Sequence, residues 1–233
     1  MSKPKIVSRE KWIKARKKFL AREKKFTRLR DKLAKERRKL PWEPVTKKYV
    51  FEGAKGKESL ADLFGGKSQF IVYHFMFAPD WEAGCRGCSF WADNFNNIIV
   101  HLNQRDTNLV TVSRAPYKKL AAYRKRMGWN FKWVSSGKSD FNYDFGASFT
   151  DKEVKKKKAF FNFTMQDPFH TDREGTSVFT KDKKGRIFRT YSTFARGIDL
   201  MNTAYNYLDI TPKGRDEGKK GPYWVRRHDE YGT

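Results

Sequence analysis

SQFIVYHFMFAPDWEAGCRGCSFWADNFNNII, residues 68–99, decides how the rest of the chain is read. It opens on an apolar run, residues 70–77, rich in β-branched and aromatic side chains, as a buried strand requires. A short loop punctuated by Pro79 and Gly84 follows, then Cys85-Arg86-Gly87-Cys88, then a segment of helical character. Both cysteines of the 233-residue chain lie in that tetrapeptide. The order strand, loop, Cys-x-x-Cys, helix is that of a dithiol redox site.

Physical chemistry explains the order. Only the thiolate exchanges disulfides, and a free cysteine with pKa about 8.5 is mostly protonated at neutral pH. A helix N-terminus offers unpaired N–H groups and partial positive charge, which lower a cysteine there to roughly 3.5–7.5. Arg86 adds a charge next door. Cys85, at the loop end, is the expected nucleophile, and Cys88, one turn into the helix, the expected resolving thiol. Three other readings stand beside this one. As a structural disulfide the pair closes too short a loop to stabilise much. As part of a zinc site it has no second Cys-x-x-Cys and only four histidines to draw on. The third reading is two inert buried thiols.

Outward from this segment the chain is strongly basic, with 51 Lys and Arg against 26 Asp and Glu and a net charge of +25. Such a surface attracts anions and nucleic acid non-specifically. No run of about 18 apolar residues marks a membrane span, and the N-terminus has no signal-peptide core. With one cysteine pair, a reducing, cytoplasmic setting is expected.

Residues 1–40 form a basic helical arm holding 18 Lys and Arg against four acids. Over 7–39, Trp12, Ala15, Phe19, Phe26, Leu29 and Leu33 recur at spacings of three, four and seven, which predicts a long amphipathic helix. Ser8 is its candidate cap. Its stripe is expected to dock on the main domain or on a second copy, giving a homodimer; a solvated face and a nucleic-acid arm are the alternatives. Pro41 ends it. A strand at 47–52, a turn at 53–57 and a helical turn at 59–64 precede the central strand. Behind the cysteines, the pattern predicts a helix over 88–104, a strand over 108–113 and a helix over 116–127 opened by Pro116. This β-α-β-α-β order implies parallel strands with right-handed crossovers. Residues 129–149 read as a strand and an ordered loop, 155–158 as a solvated basic loop and 159–165 as a strand. A hairpin follows, strands 176–181 and 186–192 joined by Asp182-Lys183-Lys184-Gly185, then a helix over 199–207. The main domain spans 41–212, and a tail, 213–233, is expected to wrap the surface on Trp224 and Tyr231.

A βαβ unit carrying Cys-x-x-Cys, then a hairpin and a final helix, resembles the thioredoxin fold: a central mixed sheet flanked by helices, here an α/β domain with a long N-terminal helix. The segments YHFMFAPDWEAGCRGCSFWADNF, VSRAPYKKLAAYRKRMGW, SDFNYDFG, TYSTFARGIDLMNTAYNYLDITPKGRDE and WVRRHDEY resemble the thioredoxin-like family called domain of unknown function 899. Its members are described as predicted dithiol-disulfide oxidoreductases. The resemblance implies a redox-active pair at Cys85 and Cys88, no cofactor, and a disulfide-bearing protein or small-molecule thiol as partner. Thioredoxins place a cis-proline beside the site; the matching stretch here is Gly175-Thr176-Ser177-Val178, without proline. The lead-in is also similar to that of peroxiredoxins, with Ala83-Gly84 in place of their Thr-Pro.

Other candidates surround the pair. His74, on the central strand, is a proton acceptor beneath the dithiol, a ligand holding copper or zinc with Cys85 and Cys88, or a hydrogen-bonded core residue. Trp81 is expected to shield the site. Arg114, at the carboxyl end of a parallel strand, is expected to face it. His170 and His228 read as surface residues. A non-catalytic binding module recruiting an acidic partner through the basic arm is the remaining alternative.

Overall fold

The computed structural model describes residues 4–232, Lys220 by its backbone alone. Residues 1–3 of the basic arm and residue 233 of the tail lie outside that range. The chain divides into two units between Pro41 and Trp42. The first holds one helix, α1 (Arg9–Arg37). Ser8 accepts the Lys11 N–H at its start, Glu10 lies in the first turn, and Lys35 and Arg37 lie in the last. Each charge has the sign that the helix dipole favours.

The second unit is built on an eight-stranded mixed sheet. Its strands are β1 (Glu43–Pro44), β2 (Val50–Gly53), β3 (Gly56–Ser59), β4 (Gln69–His74), β5 (Thr107–Ser113) and β6 (Lys132–Ser135), with β9 and β10 below. Between β4 and β5 lie α2 (Arg86–Ala92) and α3 (Ile99–Gln104), and between β5 and β6 lies α4 (Tyr117–Arg126). Then come α5 (Phe141–Asp144), α6 (Asp151–Lys155) and a separate two-stranded sheet, β7 (Ala159–Phe161) with β8 (Thr164–Gln166). β9 (Gly175–Lys181), β10 (Ile187–Phe194) and α7 (Thr203–Leu208) close the order. The strand order is β1-β10-β9-β4-β5-β6-β2-β3. β4, β5 and β6 run parallel, while β9 runs antiparallel to β4 and pairs with β10. The β5-β4-β9-β10 core, with the cysteines after β4, is the thioredoxin-like arrangement, extended by β6 and the β2–β3 hairpin.

Alternation along β4 divides its side chains between two cores. Phe70 and Val72 join Leu63, Phe64, Val110, Phe141 and Phe179 on one face. Tyr73 joins Phe75, Cys88, Trp91, Phe95 and Trp133 on the other, where α2 packs. A strand buried on both faces reads as a continuous apolar run, and residues 70–77 have that composition.

Several sequence expectations need correction. The helix expected over 88–104 is two helices, because Asn94 ends α2 by donating its amide to the Phe90 and Trp91 carbonyls at 2.9 and 3.0 Å. The helix expected over 199–207 is a 3-10 turn (Ala195–Met201) and then α7, which starts where the Asn202 side chain accepts the Tyr205 N–H at 3.1 Å. The strand expected over 159–165 is the β7–β8 hairpin, turned by Asn162 and Phe163 with φ of 48° and 65°. The turn expected at 53–57 lies inside the β2–β3 hairpin. The loop expected within 129–149 contains α5, and the basic run begins at the end of α6.

Candidate active site

Cys85 is the N-cap residue of α2, with extended backbone (φ −53°, ψ 129°). Its N–H donates to the Met76 carbonyl at 3.1 Å, pinning the loop end against the chain leaving β4. Its own carbonyl accepts the Ser89 N–H at 2.9 Å and the Ser89 hydroxyl at 2.8 Å. Gly84 is required there by close approach: a Cβ would lie 2.7 Å from the Phe75 ring and 2.9 Å from the Tyr123 ring. Cys85 is partly exposed, Cys88 is fully buried, and both are free thiols.

This placement separates the two thiols electrically. The hydrogen bond from the Cys88 thiol, then the backbone N–H groups of Cys88 and Gly87, then the Arg227 charge bring Cys85 down to about 6, against the opposing effect of burial. Cys88 is pushed up, first by burial and then by its thiol bonding to and facing Cys85. The Met76 N–H, 3.4 Å from its sulfur, opposes this. One sulfur is thus an anion at neutral pH and its neighbour a thiol.

Beneath the pair lies a carboxyl group that sequence reasoning missed. Glu174, just before β9, has burial as its main perturbation and Cys85 as the next, and its pKa rises to about 8. The Tyr73 hydroxyl lies against Glu174 and, at 3.2 Å, against the Cys88 carbonyl. A phenol has a single hydrogen, so both contacts are met when Glu174 is protonated and donates to Tyr73, which donates to Cys88. The signal for Glu174 is its register: Gly175 pairs with His74 across β4 and β9, which sets residue 174 at the end of β4. Single-chain patterning does not reveal that pairing.

Arg227 was missed as well. Its guanidinium donates to the Gly84 carbonyl at 2.8 Å and to the Tyr123 hydroxyl at 2.9 Å, and pairs with Glu230 at 2.9 Å. The tail therefore supplies a positive charge that lowers Cys85. Arg86 is exposed and is not among the principal causes of the Cys85 shift.

His74 does not meet the dithiol. It faces the opposite core, stacked on Phe141 at 5.8 Å, with Nε2 3.0 Å from the Ser177 hydroxyl. Burial drives its pKa down to about 3, which leaves it neutral. The strand's two-residue period is the cause: Tyr73, not His74, points at Cys88. The proposed copper or zinc set of Cys85, Cys88 and His74 is therefore not assembled. No group of three or more His, Cys, Asp or Glu able to hold a metal occurs among the described residues. Arg114 does not face the cysteines either; its guanidinium donates to Asp172 at 2.6 Å, Tyr143 at 3.0 Å and Thr171 at 3.2 Å. Trp81 is partly buried against the core that contains Cys88, and its carbonyl accepts Lys119 Nζ at 2.9 Å. His228 lies 2.6 Å from Asp93, while His170 lines a cleft of about 590 Å³ together with Met76, Gly87, Arg173 and Glu174.

A thioredoxin-like sheet with a Cys-x-x-Cys opening the helix after its central strand defines a thioredoxin-like dithiol protein. Within that class the chain belongs to the family described as "Bacterial protein of unknown function (DUF899)", which it matches over residues 1–231. No protein with a curated description matches it. Among solved structures it is similar to peroxidoxin BcpB from Mycobacterium tuberculosis, at 12% identity over 70% of this chain and 94% of that one, TM-score 0.46. It is also similar to peroxiredoxin Q from Xanthomonas campestris, at 15% identity over 66% and 87%, TM-score 0.43. A third likeness is to a thiol:disulfide interchange protein from Bacteroides sp., at 15% identity over 77% and 97%, TM-score 0.40. No helix among the described residues is long and apolar enough to cross a membrane.

Proposed function

We propose that this protein is a thiol-disulfide oxidoreductase in which Cys85 attacks and Cys88 resolves. The observation that carries this is the placement of the two thiols at one helix start: Cys85 caps α2 at the loop end, partly exposed, and Cys88 lies one turn in, buried, so that the outer thiol is lowered and the inner one raised. In the reductive direction, the Cys85 thiolate attacks one sulfur of a substrate disulfide. The substrate S–S bond breaks, a Cys85–substrate bond forms, and the departing sulfur leaves as thiolate and takes up a proton. Cys88 then loses its proton and displaces the bound half, leaving a Cys85–Cys88 disulfide and two reduced substrate thiols. In its ionised form Glu174 is the base that takes up the Cys88 proton, since charge on it is felt by Cys88. A dithiol that must be reduced again suits the reducing, cytoplasmic compartment that the cysteine usage suggests.

The test is equilibration in glutathione redox buffers. The two thiols are expected to be lost together, as an intramolecular disulfide in monomeric protein. Two free thiols surviving at the oxidising end of the series would overturn the assignment.

A further inference from the structure

The cleft that Gly87 of the Cys-x-x-Cys lines with Met76, Arg173 and Glu174 carries information about the substrate. It has the size of a small-molecule site, about 590 Å³. Its wall holds both signs of charge, but nearly all of it is spent within the protein. Asp199 pairs with Arg196 at 2.6 Å and with Arg215 at 2.9 Å, and Arg215 also forks onto Asp209 at 2.7 and 2.8 Å. Glu217 accepts the Tyr205 hydroxyl at 2.8 Å and the Trp224 indole N–H at 3.0 Å.

Arg173 is the exception. Its guanidinium lies over the Phe161 ring at 4.9 Å and the Phe169 ring at 5.8 Å, and the one hydrogen bond it makes among the described residues is a long one, 3.4 Å, to the Pro168 carbonyl. No carboxylate among the described residues lies within ion-pair distance of it. Four acidic groups act on it through space, Glu174, Cys88, Asp167 and Cys85, and the two carboxyls among them are otherwise engaged: Glu174 with Tyr73, and Asp167 with the Phe169 N–H at 2.8 Å. A planar cation held on aromatic faces, with most of its donors unused, is a preorganised site for a carboxylate.

We propose that the cleft binds the carboxylate of an acidic low-molecular-weight thiol presented in its disulfide form, with Arg173 as the anion-binding group that sets its sulfur beside Cys85. This rests on the dithiol reading and names its substrate class. Arg173 binds and orients, while the exchange itself follows the balanced steps given above. The same thiol half arrives either as the free symmetrical disulfide or as a mixed disulfide on a protein, and both present the carboxylate.

The test compares rates of Cys85 oxidation by oxidised glutathione, which bears carboxylates, and by bis(2-hydroxyethyl) disulfide, which bears none. Wild type, Arg173→Gln and Lys183→Gln are measured; Lys183 sits exposed in the β9–β10 turn and controls for loss of one positive charge. Taking the ratio of the two rates cancels any effect on Cys85 itself. Wild type is expected to prefer oxidised glutathione. Arg173→Gln should lower that preference about tenfold, the scale of one charge-assisted hydrogen-bonded pair, and Lys183→Gln should leave it unchanged. A glutathionylated peptide run in parallel separates the two sources: the faster of the two probes identifies the presentation used. No wild-type preference, or a preference untouched by Arg173→Gln, overturns the substrate class while the exchange chemistry stands. Failure of both disulfides to oxidise Cys85 overturns the exchange reading and this proposal with it.

Discussion

Cys88→Ser is expected to stop the reaction halfway, with Cys85 held as a stable mixed disulfide with its substrate. Cys88 is positioned to attack because the α2 turn holds its thiol against the Cys85 sulfur. Well-oriented intramolecular attack has an effective molarity of about 10⁵ M or more. Replacing it by a millimolar external thiol should slow resolution by up to about 10⁸-fold, the ratio of the two concentrations. Intact-mass analysis after exposure to a disulfide checks this: the adduct should persist on Cys88→Ser, be transient on wild type and be absent from Cys85→Ser. An adduct on Cys85→Ser would exchange the roles of the two thiols. Because Cys88 makes the largest contribution to lowering Cys85, Cys88→Ala, which removes the donor, should form its adduct more slowly than wild type at acidic pH.

Glu174→Gln should have the second-largest effect. With its pKa near 8, Glu174 is protonated at neutral pH and becomes a base as pH rises through that value. Wild-type resolution should therefore accelerate with a midpoint near pH 8, reported as an apparent value of the coupled Glu174–Cys88 pair. In Glu174→Gln the rise should move to higher pH, where Cys88 must ionise unaided. Near pH 8 resolution should be slower by about 10²-fold, the lower end for loss of a general base. The substitution should also change stability with a definite sign. A carboxyl raised from 4.5 to about 8 stabilises the fold fully below its unfolded value and ceases to do so as pH rises through 8. Wild type should thus lose stability relative to Glu174→Gln between pH 4.5 and 8. Stopped-flow single-turnover kinetics and denaturant unfolding across pH read the two effects. A pH profile shared by the two proteins would remove Glu174 from the mechanism.

Much of the scaffold was legible because strong local signals coincide with tertiary demands. Residues 70–77 are apolar because β4 is buried on both faces, and Pro116 and Gly128 bracket α4 because of what they do to the backbone. The helices misread as continuous, 88–104 and 199–207, each contain an asparagine whose side chain takes over backbone hydrogen bonds. Apolar periodicity continues across those breaks and hides them. Cys85 and Cys88 were visible because their spacing is itself the chemistry. Glu174 and Arg227 were not, since one reaches the site through antiparallel register and the other through a tail 142 residues beyond Cys85 in the sequence. His74 drew attention by proximity in sequence, yet strand alternation turns it away from the sulfur that Tyr73 meets.

The most direct measurement is the pH dependence of Cys85 alkylation by iodoacetamide in the folded, reduced protein, with the modified residue identified by mass spectrometry. A single midpoint near 6 is expected, with carboxamidomethyl label on Cys85 and Cys88 left unmodified through neutral pH. A midpoint at the value of an ordinary free thiol, about 8.5, or label arriving first on Cys88, would contradict it.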